Sequence, residues 1–398
     1  MVPEGWVNTT FGAHIDCLTG FAFKSSGYSE NAKDIRLLRG DNIEPGSLRW
    51  NGAKFWPSSD LDSFERYLLQ DGDFVIAMDR TWITAGLKVA EIKKSDLPCL
   101  LVQRVARVRA KGSLEQSLLR QYFSGNRFEQ YVKSVQTATA VPHISPNDIK
   151  AFPVTLPPLP EQKKIAQILS TWDKAITTTE QQLVNSQQQK KALMQQLLTG
   201  KKRLLDEDGV RFSGEWKRVE LGDLLDYQQP TPYLVKSTEY SDDYLTPVLT
   251  AGKTFILGYT NEESGIFSEQ LPAIIFDDFT TDSKFVDFPF KAKSSAMKIL
   301  TAKGGVSIKY VYEAMQLLDF SVGGHQRHWI SIYSRLVIPF PDSKEQQIIA
   351  AVLSSADQEI AVLQQKLDAL KQEKKALMQQ LLTGKRRVKV DDKEGAKC

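Results

Sequence analysis

Three polar clusters in this sequence carry side chains of types able to hydrogen-bond nucleic-acid bases or phosphates. The densest is Gly323-Gly324-His325-Gln326-Arg327-His328, with four consecutive hydrogen-bonding side chains behind two glycines. The second is Asp79-Arg80-Thr81-Trp82-Ile83-Thr84, followed shortly by Lys88, and the third is Asp277-Asp278-Phe279-Thr280-Thr281-Asp282-Ser283-Lys284. Arg, Lys, Thr, Gln and His at strand ends are the residue types that contact base edges and phosphate oxygens. Each cluster also has a plain reading as a solvated polar loop. Lys253 is a further candidate contact. Its segment, Ala251-Gly252-Lys253-Thr254, ends like a phosphate-binding loop but has Pro247 where that motif needs its first glycine.

Catalytic chemistry finds little support. No Gly-rich dinucleotide fingerprint follows a strand, and the Asn-Pro-Pro-Tyr or Asp-Pro-Pro-Tyr tetrapeptide of amino-methyltransferases is missing. The four histidines (His14, His143, His325, His328) make no helical metal pair. Asp277-Asp278 could serve a nuclease metal but lacks a Glu-x-Lys companion. No metal and no cofactor is therefore expected on this chain. Cys17, Cys99 and Cys398 share no metal or disulfide spacing and read as free thiols of a reducing cytosol. The first residues show no export signal and no apolar run approaches a membrane span, so a cytoplasmic protein without membrane partners is expected.

The elements that must position these clusters come from a longer pattern. At 398 residues, 41% hydrophobic and 25% charged, the chain is globular and long enough for two or more domains. Its net charge is only +3, with no basic region: +2 for residues 1–152, +2 for 153–209, −3 for 210–338 and +2 for 339–398. A bound nucleic acid would need the cations gathered on one face. Short strands are expected at Phe74 to Met78, Leu100 to Val105, Thr246 to Thr250 and Ala273 to Phe276, with helices over Leu118 to Val132 and Tyr310 to Leu318. Trp50, Trp56 and Trp82 fit core or domain packing better than base stacking.

An internal repeat organises the rest. Residues 190–201, KKALMQQLLTGK, recur unchanged at 374–385, and the offset of 184 holds from Glu161/Glu345 to Arg203/Arg387, where 24 of 43 aligned pairs are identical. Both copies read as helices of about 39 residues, roughly 58 Å. The first is led in by Pro157-Pro158-Leu159-Pro160. The second starts at a capping box, Ser343-Lys344-Glu345-Gln346. Both stop at Thr-Gly-Lys, where glycine suits the left-handed position after a helix.

The second helix sustains a heptad stripe through Ile349, Leu353, Ala356, Ile360, Leu363, Leu367, Leu370, Leu377 and Leu381, with Lys374 in its one gap. The first follows with Ile165, Leu169, Trp172, Ile176, Leu183, Leu193 and Leu197, but puts Thr179, Ser186 and Lys190 on the same stripe. The two helices are expected to pack on each other, each being the partner of matching length. Packing of each against its own domain is the alternative. Trp6 to Gly12 and Trp216 to Gly222 open the two intervening regions alike.

Two dissimilar α+β regions, each followed by a near-identical long helix, resemble the DNA-specificity subunit of type I restriction–modification systems. The residues that carry this are Leu156-Pro157-Pro158-Leu159-Pro160-Glu161-Gln162, its second occurrence Ile338-Pro339-Phe340-Pro341 with Glu345-Gln346, the helix ends at 190 and 374, and the openings at Trp6 and Trp216. Gln326 to Ser331 resembles the end of a target-recognition domain, and Thr137 to Ser145 an altered counterpart. The resemblance implies target-recognition domains at 1–152 and 206–338, and spacer helices at 153–205 and 339–398 forming an antiparallel coiled coil. It also implies a non-catalytic subunit that reads a bipartite double-stranded DNA site. Two copies of an adenine-N6 methyltransferase subunit, and restriction–translocase subunits, would be its partners. S-adenosylmethionine, ATP and magnesium would belong to those partners. A non-DNA scaffold and a self-contained nuclease are the competing functions.

Overall fold

Phe74–Ala77, four apolar residues in a row, form a strand buried along its whole length. It lies inside a four-stranded antiparallel sheet in the order Val89–Glu91, Phe74–Ala77, Val105–Ala110, Ile15–Thr19. The computed structural model of the protein describes residues 2–138, 140–252, 254–320 and 328–390. The chain divides into two compact units, Met1–Thr179 with Lys366–Cys398, and Glu180–Gln365. Both divisions fall within long helices, Leu159–Leu197 and Ser343–Leu381.

In the first unit a second sheet sets Ile35–Leu38 between Cys99–Leu101, parallel to it, and Lys54–Trp56, antiparallel. The run from Leu100 to Val105, expected as one strand, is two. Gln103 and Arg104 turn the chain from Cys99–Leu101 into Val105–Ala110, because two exposed polar residues interrupt the apolar run. The helix expected over Leu118 to Val132 is likewise two, Gln116–Phe123 and Asn126–Val135, broken at Ser124-Gly125. The break lets Phe123 and Phe128 meet edge to face, 4.9 Å apart, in one core with Phe11 and Phe152. Trp56 joins an aromatic cluster with Phe23 and Phe64, while the Trp50 and Trp82 indoles donate to Asp96 and Glu129.

The second unit repeats this plan. Its four-stranded sheet runs Ser283–Val286, Ala273–Asp277, Met297–Ala302, Leu225–Gln228. Its three-stranded sheet centres on Thr246–Leu249, parallel to Lys291–Ala292 and antiparallel to Ile256–Thr260. Two similar strand–turn–strand openings, Val7–Thr10 to Ile15–Thr19 and Lys217–Glu220 to Leu225–Gln228, follow the two tryptophans. Each opening strand pairs antiparallel with the strand that leads to a long helix, Pro153–Leu156 or Val337–Phe340.

The long helices run antiparallel in each unit. In the first, Lys374 reaches Asp173 at 2.5 Å, and Ile165, Leu169 and Leu381 share one core, flanked by Leu377. In the second, Lys190 reaches Asp357 at 2.6 Å, Ser186 donates to Glu359 at 3.1 Å, and Leu197, Ile349 and Leu353 pack together, flanked by Leu193. Leu183 and Leu367 are buried on the same stripes, and Trp172, Ile176, Ile360, Leu363 and Leu370 are half-buried. The protein is therefore mixed α/β, with two similar units built on a pair of antiparallel coiled helices.

Both helix starts are held in the same way. Glu161 accepts the Trp6 indole N–H at 3.1 Å and the Arg387 fork at 2.7 and 2.8 Å. Glu345 accepts Trp216 at 2.9 Å and the Arg203 fork at 2.6 and 2.7 Å. The neighbouring Gln162 donates to the Pro157 carbonyl and accepts the Glu115 amide, and Gln346 does the same with Pro341 and Ser307. The second helix is capped by the Asp342 carboxylate, which accepts the Glu345 amide, and not by Ser343. Glu345 is occupied by the guanidinium and the indole instead. Gly200 and Gly384 both take left-handed φ of 71° after the helices.

Candidate nucleic-acid interface

Two of the polar clusters singled out in the sequence, Asp79 to Thr84 and Asp277 to Lys284, begin at one end of the four-stranded sheets, where Phe74–Ala77 and Ala273–Asp277 stop. In the first unit the loop after Phe74–Ala77 carries Arg80, whose backbone is left-handed (φ 48°) and whose amide donates to the Pro142 carbonyl. Arg80 and Thr84 are exposed. Thr81 is not available to a ligand: it is fully buried, and its hydroxyl donates to the Met78 carbonyl at 3.0 Å. The tight turn that exposes Arg80 points its neighbour inward. Lys88 is half-buried, and burial above all, with Arg80 nearby, lowers its pKa against the opposing pull of Asp41 and Asp79.

Arg39 and Arg104 join Arg80 and Lys88 around one concavity of about 420 Å³ that also holds Asp41 and Asp79. Four cations against two carboxylates make it positive. Neither Arg39 nor Arg104 stood out in the sequence. Their signals were present, however: Arg39 opens the polar run that ends the Ile35–Leu38 strand, and Gln103-Arg104 interrupts an apolar run. Asp79 accepts the His143 imidazole Nδ1–H at 2.6 Å and lies 3.8 Å from the Arg104 Nε.

In the second unit the loop after Ala273–Asp277 is a tight hairpin. The Asp277 carboxylate accepts the Phe279 and Thr280 amides, its carbonyl accepts the Thr281 amide, and Thr281 is left-handed (φ 62°). Thr280 is exposed, Thr281 half-buried, and Lys284 exposed on the edge strand Ser283–Val286. Asp278 is buried, accepts the Trp329 amide at 2.9 Å and pairs with the buried Lys298 at 3.5 Å. His328 comes to it through the backbone, its amide donating to the Asp278 carbonyl at 2.9 Å.

The His328 ring is fully buried beside Phe320, and neither ring nitrogen has a hydrogen-bond partner among the described residues. His328 therefore shapes the base of the loop and does not reach a surface ligand. Lys253, His325, Gln326 and Arg327 lie outside the described residues. Among the described residues no group of three or more His, Cys, Asp or Glu could hold a metal. Asp277 and Asp278 are engaged with backbone amides and Lys298. None of the described helices is long and apolar enough to cross a membrane.

The family description "type I restriction modification DNA specificity domain" matches twice, at residues 21–186 and 213–372, one match for each half of the repeat. The chain belongs to this family. The specificity subunit of the Escherichia coli type I restriction enzyme EcoR124I/EcoR124II is 53% identical over 148 residues, 35% of this chain and 36% of that protein. The EcoAI specificity subunit of Escherichia coli is 37% identical over 184 residues, 44% of this chain and 29% of that protein. The matches thus span about a third of these two relatives. The type I restriction–modification S subunit from M. genitalium shares the fold at a TM-score of 0.65, with 13% identity over 96% of this chain and 99% of that one. A chain from a type I restriction–modification assembly is similar over 97% of this chain and all of that one, at a TM-score of 0.52 and 15% identity. As a member of the specificity family, this chain presents one strand-end loop cluster per unit, on matching sheets with different side chains.

Proposed function

We propose that this chain is the DNA-recognition subunit of a type I restriction–modification assembly. Each unit reads one half of a split, asymmetric double-stranded DNA site through the loops at the end of its four-stranded sheet. The single observation that carries this reading is the twofold match to the specificity family on a repeated frame whose loops differ. A conserved frame with divergent strand-end loops is the arrangement expected of two readers with different targets.

On this reading the chain performs no chemistry itself. Two methyltransferase subunits acting on adenine N6 bind the duplicated helices, one for each copy, since a twofold repeat offers two like surfaces. Restriction–translocase subunits join the fuller assembly. S-adenosylmethionine, ATP and magnesium belong to those partners, and the target adenine is flipped out of the duplex by the methyltransferase. The assembly works in the cytoplasm, where the DNA is. A net charge of +3 suits a reader whose partners help surround the duplex.

The test is selection of bound duplexes from a library of randomised split sites, using the full chain with its methyltransferase partner. One bipartite sequence is the expected product. Equal retention of all sequences at moderate salt would overturn the proposal, because phosphate contact alone is blind to sequence.

A further inference from the structure

We infer that Arg104, with Arg80 beside it, reads guanine in the first half-site. The inference rests on the DNA-recognition reading above and assigns residues and a base to it. The two arginines sit in adjacent loops at the same end of the sheet. Arg80 follows the strand Phe74–Ala77, Arg104 precedes Val105–Ala110, and those strands are joined at Val105 and Ala77. Both line the same 420 Å³ concavity.

Their backbone is the first argument. Arg80 (φ 48°) and Arg104 (φ 66°) are two of three non-glycine residues with left-handed φ among the described residues, and the third, Thr281, occupies the corresponding loop of the other unit. Glycine or asparagine takes this conformation with less strain than arginine. Arginine at both positions is explained by what its side chain does there.

The second argument is the free end of Arg104. Its side chain is 64% exposed, and its one ion pair among the described residues uses Nε at 3.8 Å from Asp79. No described residue accepts from its terminal nitrogens. A guanidinium offers donors only, and guanine presents two acceptors, O6 and N7, on its major-groove edge, whereas adenine offers one acceptor beside a donor. Asp79 and Asp41 in the same concavity oppose a phosphate at its centre and leave a neutral base edge acceptable. Lys88 remains for a flanking phosphate, while the Arg39 guanidinium is paired with Asp41 at 3.2 Å.

The third argument compares the units. The Met78 amide donates to the Arg104 carbonyl, and the Asp278 amide donates to the Ala296 carbonyl, at the same place in the two sheets. The Ala296 side chain has no donor to offer. The frames agree, but the side chain at this position differs, as two different half-sites require.

The experiment repeats the split-site selection with the full chain and partner for wild type, Arg104→Ala, Arg104→Gly and Arg80→Ala. For Arg104→Ala and Arg104→Gly one G·C position of the first half-site should relax, with discrimination there falling roughly ten- to a hundredfold. The second half-site and the spacing should be unchanged. Arg104→Gly should unfold no earlier than wild type, since glycine accepts the left-handed backbone, which separates base reading from stability. Arg80→Ala should relax an adjacent position. Uniform weakening on all sequences, relaxation at A·T only, or an unchanged selected sequence each overturns the inference while leaving the recognition reading standing. A wild type that selects no sequence overturns both.

Discussion

The Arg387 guanidinium grips the Glu161 carboxylate with both arms, at 2.7 and 2.8 Å, across 226 residues of chain. Glu161 is almost wholly buried and begins the first long helix, whereas Arg387 follows the end of the second. The Arg203–Glu345 pair repeats this with the helices exchanged. Each unit is thus closed by the start of one long helix and the tail of the other, and the tryptophan that opens each unit is fastened to the same carboxylate.

The clamp predicts a defined cost. Arg387→Ala leaves a buried carboxylate with only the Trp6 indole, and loss of a charged hydrogen-bond pair costs roughly 1.5–3 kcal/mol. Arg387→Lys, which keeps the charge and loses the fork, should cost less. Urea unfolding followed by Trp fluorescence measures both. Equal midpoints for Arg387→Ala and wild type would contradict the clamp.

The two lysines on the helix stripes should differ. Lys190 is shared between Glu313, which is fully buried, and Asp357, with Lys309 beside both. Lys374 meets Asp173, which is also held by Gln121. Lys190→Met therefore strands two acids on one remaining lysine and should cost about 3–5 kcal/mol. Lys374→Met leaves Asp173 a neutral donor and should cost about 1–2 kcal/mol. Thermal unfolding of the two variants gives the order, and a larger loss for Lys374→Met would reverse the argument.

Much of this was legible in the sequence. The exact repeat and the heptad stripe gave both long helices and their mutual packing, because a 3.5-residue period needs only local reading. Lys190, Lys374 and Ser186 looked like blemishes on those stripes. Their partners Asp357, Asp173 and Glu359 are set by antiparallel register, which no local pattern encodes. The strand-end loops were visible as polar clusters, yet Thr81 was read as a surface group and is buried. Arg104 was hidden in what read as one apolar strand. Burial within a tight turn depends on which neighbour points inward, and adjacent residue types do not fix that.

Acid should act through Asp357. Burial raises its pKa, but hydrogen bonds from Lys190 and Lys309, with their charges, outweigh it and hold the carboxyl below its ordinary value. A group depressed in the folded state lends stability that is present above its unfolded pKa, about 3.9, and is lost as pH falls through the folded value. Unfolding midpoints should therefore drop from about pH 5 downward in the wild type. Asp357→Asn should start lower at pH 7 and lose less on acidification. Parallel pH profiles for the two proteins would remove Asp357 from this role.

Exposure separates residues that can read DNA from those that hold the loops. Lys284 lies exposed on an edge strand, whereas Thr81 is buried and bonded to the Met78 carbonyl. Lys284→Ala should weaken binding to a duplex carrying the intact second half-site, and less so once that half-site is scrambled, if it reads bases. Equal loss on both duplexes would assign it to the phosphate backbone, with a shallower salt slope by about one contact. Thr81→Val should leave the selected sequence untouched. Its effect should appear in stability, about 1 kcal/mol for one hydrogen bond. Mobility shifts on the two duplexes, read beside urea midpoints, distinguish these roles. A change in first half-site preference for Thr81→Val at unchanged stability would show that this buried hydroxyl sets the Arg80 loop for recognition.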